Sequence, residues 1–191
     1  VNAAGDRFAP SFAGRYAGVV GDADIGLSIF HGVSRDPGFA PTDFVLVGGV
    51  PTPTALAPVY DQITQVGFDG QYTAGPMLYK GEAVFRTGQT DLRGRERDFV
   101  AVTGGVEYTL FSVFENADLG LIGEYAFDSR GDDATSTFQN DIIVGARLAL
   151  NDEADTSLLV TSAVDHQHGV ASFRLEGQTR VAEGWVASLE G

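Results

Sequence analysis

The sequence predicts an all-β protein, an antiparallel up-and-down transmembrane β-barrel with about ten strands in view. Three observations predict it. Apolar residues recur at every second position along most of the 191 residues. In the segments that show this period, the apolar register holds no Asp, Glu, Lys or Arg. Turn signals separate the segments, and the connections alternate between short and long except at 111–117, which is longer than the pattern, and 166–169, which is shorter. Successive strand side chains point to opposite faces, so a period of two describes a sheet with one apolar and one polar side.

The elements follow in order, all read from the residues. Residues 1–11 show no period and are expected as a loop. A first strand covers 12–20 and Gly21-Asp22 turns the chain. In the second, 23–34, Ile25, Leu27 and Ile29 oppose Asp24, Gly26 and Ser28. Pro37, Pro41, Pro51, Pro53 and Pro58 fall in 35–58. Proline lacks the donor that a sheet ladder needs, so 35–58 is expected as a long loop. The third strand, 60–73, sets Val66, Phe68 and Tyr72 against Gln65, Asp69 and Gln71. After Ala74-Gly75-Pro76, the fourth (77–87) sets Met77, Tyr79, Ala83 and Phe85 against Lys80, Glu82, Val84 and Arg86. A polar loop is expected at 88–98.

The fifth strand, 99–110, is the clearest. Val100, Val102, Val106, Tyr108 and Leu110 oppose Phe99, Ala101, Thr103, Glu107 and Thr109. Residues 111–117 read as a connection. Leu119, Leu121, Tyr125 and Phe127 then oppose Ile122, Glu124 and Ala126, before a loop at 128–140. The seventh strand sets Ile142, Val144 and Leu148 against Ile143, Gly145 and Arg147. After a turn at 151–155, Leu158, Val160 and Val164 oppose Leu159, Thr161 and Asp165. Past a turn at 166–169, Ala171, Phe173 and Leu175 oppose Ser172, Arg174 and Glu176. Residues 182–184 turn into a tenth segment, where Trp185, Ala187 and Leu189 oppose Val186, Ser188 and Glu190.

Composition narrows the function classes. The net charge of −14 argues against nucleic acid, since phosphate binding needs clustered Lys and Arg. With no cysteine there is neither a disulfide framework nor a cysteine zinc site. A mean hydropathy of +0.01 looks soluble, but half of each barrel strand is polar and the segment signal is weak. Lys80 is the only lysine. Soluble sheets usually guard their exposed edges with charge, above all Lys. A soluble barrel would turn the same apolar register inward. Lipid outside is favoured by the sparse charge on the polar register, by the alternating loop lengths, and by Tyr72, Tyr79, Phe85, Tyr108, Tyr125, Phe127 and Trp185 near strand ends, which resemble an interfacial girdle.

Residues 1–191 are read as one barrel domain. Bacterial barrels keep both termini in the periplasm with even strand numbers. The order of short and long connections therefore implies further strands at each end and a barrel of twelve or more. Such a barrel has a backbone radius of about 12 Å.

Three segments carry a family resemblance: Gly26-Leu-Ser-Ile-Phe-His-Gly-Val-Ser-Arg-Asp-Pro37, the run Tyr60-Asp-Gln-Ile-Thr-Gln-Val-Gly-Phe-Asp69, and the run from Asp118 to Asp133 with Val144-Gly-Ala-Arg-Leu148. They resemble a group of poorly characterised Gram-negative outer-membrane barrel proteins, over roughly residues 12 to 191. The resemblance implies an outer-membrane location, with membrane lipid and lipopolysaccharide as neighbours. It implies no substrate and no catalytic residues.

The polar register supplies the candidate site residues: Asp69, Lys80, Glu82, Arg86, Glu107, Glu124, Arg147, Asp165, Arg174, Glu176 and Arg180. They are expected to line the lumen, either of an open porin-like pore for small solutes and ions or of a closed barrel filled by their mutual pairing. Acids outnumber bases on this face. The loops at 128–133 and 152–155 are expected to add negative charge at the mouths, giving a weak preference for cations. His166 and His168 beside Asp165 are too few to hold a metal and read as a solvated turn. Gly131-Asp132-Asp133 lacks the spaced acids of a calcium loop and reads as an acidic surface loop. His31 is placed at a mouth or interface. Ser162 with Asp165-His166 makes a poor nucleophile set, because Ser162 and Asp165 fall on opposite registers. No catalytic residue, metal or cofactor is expected, and no phosphate-loop or dinucleotide fingerprint is present.

Overall fold

The computed structural model describes residues 10–191; most of the loop expected at residues 1–11 lies outside them. The elements are β1 (Phe12–Val20), β2 (Ala23–Val33), β3 (Gly38–Val47), β4 (Val50–Val59), β5 (Gln62–Ala74), β6 (Met77–Thr90), β7 (Glu96–Phe114), β8 (Ala117–Asp128), β9 (Asn140–Ala149), β10 (Ser157–Asp165), β11 (Val170–Ala182) and β12 (Trp185–Glu190), with one 3₁₀ turn at Gly131–Asp133. Ten strands form one sheet in the order β1-β2-β5-β6-β7-β8-β9-β10-β11-β12, and β3-β4 is a separate pair. Every neighbour is antiparallel, giving an up-and-down meander. Among the described residues β1 and β12 do not pair, so the sheet is open. No helix among them is long and apolar enough to cross a membrane, which says nothing of crossing by strands.

Directly opposed residues share a face, so the registers give one continuous apolar side. It runs through Leu27, Phe68, Ala83, Val102 and Phe127 at one level, and through Tyr108, Leu121, Ala146, Val160 and Leu175 at another. At both levels this is the charge-free register, with Glu96 and Asp98 joining it only at the loop end of β7, and through the interior strands it is the more exposed one. Phe68 is 45 % exposed, Leu121 45 % and Val144 51 %. Burial is instead found under the polar side and at one end of the sheet. There the buried set is polar (Ser34, Asp61, Gln89, Asp91, Asp128, Arg130, Asp141) as much as apolar (Ile63, Phe99, Ala126, Ala134), and Ala117 is buried beside the turn at the opposite end. The chain exposes 12625 Å², against roughly 8,800 Å² for a compact soluble monomer of 20.2 kDa. The described residues form no conventional apolar core.

Three connections differ from the expectation. Residues 35–58 are mostly a hairpin. Gly48 (φ 59°) and Gly49 (φ 85°) make the two-residue turn with both central residues left-handed. The prolines are accommodated because β3 and β4 each have one free edge and the ladder is irregular around Pro41, Asp43 and Phe44. The expected connection at 111–117 is strand as far as Phe114. An irregularity between Leu110 and Phe114, with Ser112 at φ 54°, interrupts the alternation there. The expected 88–98 loop shrinks to residues 91–95, since β6 continues through Gly88. At Gly88 (φ 81°) a Cβ would lie 2.5 Å from the Gln62 carbonyl oxygen, so only glycine fits.

With these changes one end of the sheet carries four two-residue turns, Gly21-Asp22, Gly75-Pro76, Glu115-Asn116 and Glu183-Gly184, and the seven-residue connection 150–156. The other carries the β3-β4 hairpin and the loops at 91–95, 129–139 and 166–169.

Candidate functional site

All the candidate residues lie on the polar side. Asp69 on β5 faces Glu82 on β6; Lys80 faces Gly105 on β7, which faces Glu124 on β8. Glu107 faces Ile122, and Arg147 on β9 faces Gly120 and Leu159. Asp165, Arg174, Glu176 and Arg180 continue that side along β10 and β11, with Glu190 opposite Glu176 on β12. Arg86 sits towards the loop end of β6, opposite Gln65 and Phe99.

Three ion pairs on this side share a construction. Each joins strands two apart and passes over a glycine on the strand between. The Arg15 guanidinium donates to both Asp69 oxygens at 2.7 and 2.8 Å, crossing Gly26, whose Cβ would meet Asp69 Oδ2 at 2.5 Å and Arg15 Nη2 at 2.6 Å. Lys80 Nζ lies 3.1 Å from Glu124 Oε1, across Gly105, where a Cβ would collide with the Glu124 side chain. Arg147 Nη1 lies 4.0 Å from Glu107 Oε1, beside Gly120, whose Cβ would meet that oxygen at 2.8 Å. Two strand spacings are about 9.6 Å, which the paired side chains cover by lying along the sheet.

The other candidates pair locally. Arg174 bonds Glu176, and Arg180 bonds Asp155 from the turn below. Arg86 donates to Gln65 at 2.8 Å and to Gln89 at 2.5 Å, and reaches Asp36 at 3.1 Å. Asp165 accepts from His168 at 2.6 Å. The exposed Glu82 has no ion pair or side-chain hydrogen bond among the described residues.

The loop end holds a polar cluster that the alternation does not reveal. Asp128 (1 % exposed) accepts from the Arg130 guanidinium at 2.6 and 2.9 Å, and Arg130 (3 % exposed) lies 3.5 Å over the Phe99 ring. Arg86 lies 5.7 Å from the same ring. In the 91–95 loop, Asp91 accepts from the Arg93 and Arg95 backbone N–H groups, both at 2.9 Å, and from Arg95 Nε at 3.0 Å. Burial works against ionisation of Asp91, but these donors outweigh it and hold its carboxyl below the usual range.

Asp133 is met by Arg93 and Arg95 at 2.6 Å and by Arg97 at 3.7 Å. Part of the negative charge expected at the mouths from 128–133 and 152–155 is thereby compensated, while the carboxyls of Asp132, Asp152 and Glu153 meet no arginine among the described residues. Asp128, Asp133 and Asp155 each face arginine. The Arg93, Arg95, Arg97 spacing against Gly131-Asp132-Asp133 was the available sequence signal.

The weaker candidates resolve simply. His168 Nε2 is 3.5 Å from Asp132, and His166 Nδ1 is 2.9 Å from the Asn140 carbonyl oxygen. Hydrogen bonding to Asp165, then the charges of Asp165 and Asp132, raise the His168 pKa. Among the described residues no three His, Asp or Glu gather as a metal site. Ser162 faces Val144 and Phe173 on the apolar side, away from Asp165. His31 bonds Thr64 at 2.8 Å and Gln62 at 3.1 Å, in a polar belt where the apolar side of β2 and β5 meets the loop end.

No family model, curated protein or solved structure matches this chain.

Proposed function

We propose that the chain forms ten strands of the wall of a bacterial outer-membrane β-barrel of twelve or more strands. In this reading the charge-free register faces lipid and lipopolysaccharide, and the polar register lines a water-filled lumen through which small solutes and ions diffuse. One observation carries it: through the interior of the sheet, β2 and β5 to β10, the large apolar side chains lie on the exposed side. A soluble barrel or sandwich gains its stability by burying that side, at about 25 cal/mol per Å². A bilayer gains by contact with it.

The construction of the polar side favours an open lumen over a filled one. Side chains clamped flat over Gly26, Gly105 and Gly120 occupy the wall and leave the space above it. The end with the four two-residue turns then lies on the periplasmic side, and the end with the β3-β4 hairpin and the 129–139 loop outside. Single-channel recording in planar bilayers tests the reading. Discrete conductance steps are expected. Silent bilayers, or a chain monodisperse in water without detergent, would overturn it.

A second reading, a structural or binding role without transport, is favoured by the β3-β4 hairpin. Phe39, Phe44, Leu46 and Leu56 are exposed on it, and Asp43 is the only charge between Gly38 and Val59. Silent bilayers combined with correct insertion would support this reading.

A further inference from the structure

The polar side carries many acids, yet nearly all of them are answered. Asp69, Glu107 and Glu124 hold Arg15, Arg147 and Lys80. Glu176 holds Arg174, Asp165 holds His168, and Asp128 holds Arg130. Asp24 accepts from Gln71 at 2.8 Å, and Asp141 accepts two backbone N–H groups at 2.9 and 3.1 Å. Two strand carboxylates on this side have neither an ion pair nor a hydrogen bond among the described residues: Glu82 and Glu190.

They differ in surroundings. Glu190 lies on edge strand β12 in a groove shared with Arg147. The 4.0 Å contact of Arg147 with Glu107 leaves its guanidinium half exposed towards that groove. Glu82 lies inside the sheet on β6, bordering a groove of about 470 Å³ with Arg15, Asp24, Asp69 and Lys80. Both bases there are committed elsewhere. Arg15 is bidentate on Asp69, and Lys80 turns away over Gly105 to Glu124.

From this we infer that Glu82 is the cation-selecting residue of the proposed pore, and that the glycine-spanned pairs isolate it. The inference rests on the pore reading above. A closed ion pair presents a dipole, whose potential falls faster with distance than that of a single charge. A small hydrated cation in the lumen therefore meets two carboxylates without a basic partner around this groove: Asp24, held by the neutral Gln71 amide, and Glu82, which has no hydrogen bond among the described residues and is free to turn to the ion. The excess of acids over bases on the face as a whole matters less. Lys80 and Gly105 are positioning residues: they hold the Glu124 charge, and Lys80's own, away from Glu82.

The experiment is the reversal potential in a potassium chloride gradient across planar bilayers, for the wild type, Glu82→Gln, Glu124→Gln, Lys80→Gln and Glu190→Gln. Heat-modifiable gel mobility establishes that each is folded. The wild type prefers potassium. Glu82→Gln removes most of the preference with unitary conductance nearly unchanged, Asp24 retaining the remainder, and Glu190→Gln keeps most of it. Glu124→Gln, which frees Lys80 beside Glu82, also removes most of it. Lys80→Gln, which frees Glu124, strengthens it. Channel steps whose selectivity is untouched by Glu82→Gln, or a wild type preferring chloride, overturn this assignment and leave the pore reading standing. Bilayers silent for every folded variant overturn both.

Discussion

Placing an arginine at residue 121 or at residue 122 separates a lipid-facing surface from a water-facing one within a single step of the chain. Leu121 lies on the apolar side of β8, between Tyr108 on β7 and Ala146 on β9, and is 45 % exposed. Ile122 points to the other side, between Glu107 and Gly145. If the apolar side meets lipid, Leu121→Arg puts a charge into hydrocarbon near mid-strand. That costs about 2–4 kcal/mol, or roughly 30- to 1,000-fold in the folding equilibrium at about 1.4 kcal/mol per tenfold. Ile122→Arg puts the same charge in the lumen beside Glu107, where exposed ion pairs change stability by about 1 kcal/mol or less.

Both variants are refolded from urea into phosphatidylcholine vesicles, followed by heat-modifiable mobility and by the fluorescence of Trp185, the chain's only tryptophan. Leu121→Arg is expected to lose most of its folded fraction and Ile122→Arg to keep it. Equal losses, or a more stable Leu121→Arg, would refute the assignment of faces. Parity alone also nominates Gly145→Arg as a mild variant. The structure removes it from that role, because a Cβ at Gly145 would meet Thr161 Cγ2 at 2.8 Å and the Val160 carbonyl oxygen at 2.9 Å.

Two further outcomes concern the loop end. Arg130→Ala leaves the Asp128 carboxylate buried without its guanidinium and exposes the Phe99 ring; removing one partner of such a pair costs roughly 3 kcal/mol or more. The 129–139 loop is then expected to be cut by added protease well before the strands are, and a cleavage pattern identical to wild type would contradict it. His168 titrates above the ordinary imidazole value because of Asp165 and then Asp132. A raised folded-state value stabilises the 166–169 turn fully below the ordinary imidazole pKa, and the gain is lost as pH rises through the raised value. Imidazole proton shifts should therefore show a late titration for His168 that moves down in Asp165→Asn; no movement would contradict the pairing.

The two-sided character of the strands was legible because a period of two needs only residue types. Val100 to Leu110 against Phe99 to Thr109 keeps its register across the whole sheet. The proline rule misled at 35–58, since it describes strands with neighbours on both sides, whereas β3 and β4 have only each other. The Gly48-Gly49 pair between Val47 and Val50 was the better guide. The end of β7 was hidden because Phe111 and Ser112 break the alternation at an irregularity. The pairing of lumen candidates was not readable, because Lys80 meets Glu124 only through a register that also places Gly105 between them. The Asp128, Arg130 and Phe99 cluster likewise depends on how the 129–139 loop folds back on β7.

Site-directed spin labelling along β8 to β10 tests the central claim, that the charge-free register faces lipid. The chain has no cysteine, so single cysteines at 121, 144 and 160 on one register and at 122, 143 and 161 on the other can each carry one nitroxide. Power saturation in vesicles then compares collisions with oxygen, which concentrates in hydrocarbon, against a water-soluble nickel chelate. Oxygen accessibility is expected to dominate at 121, 144 and 160 and the chelate at 122, 143 and 161. The opposite phase, or chelate accessibility on both registers, would contradict it.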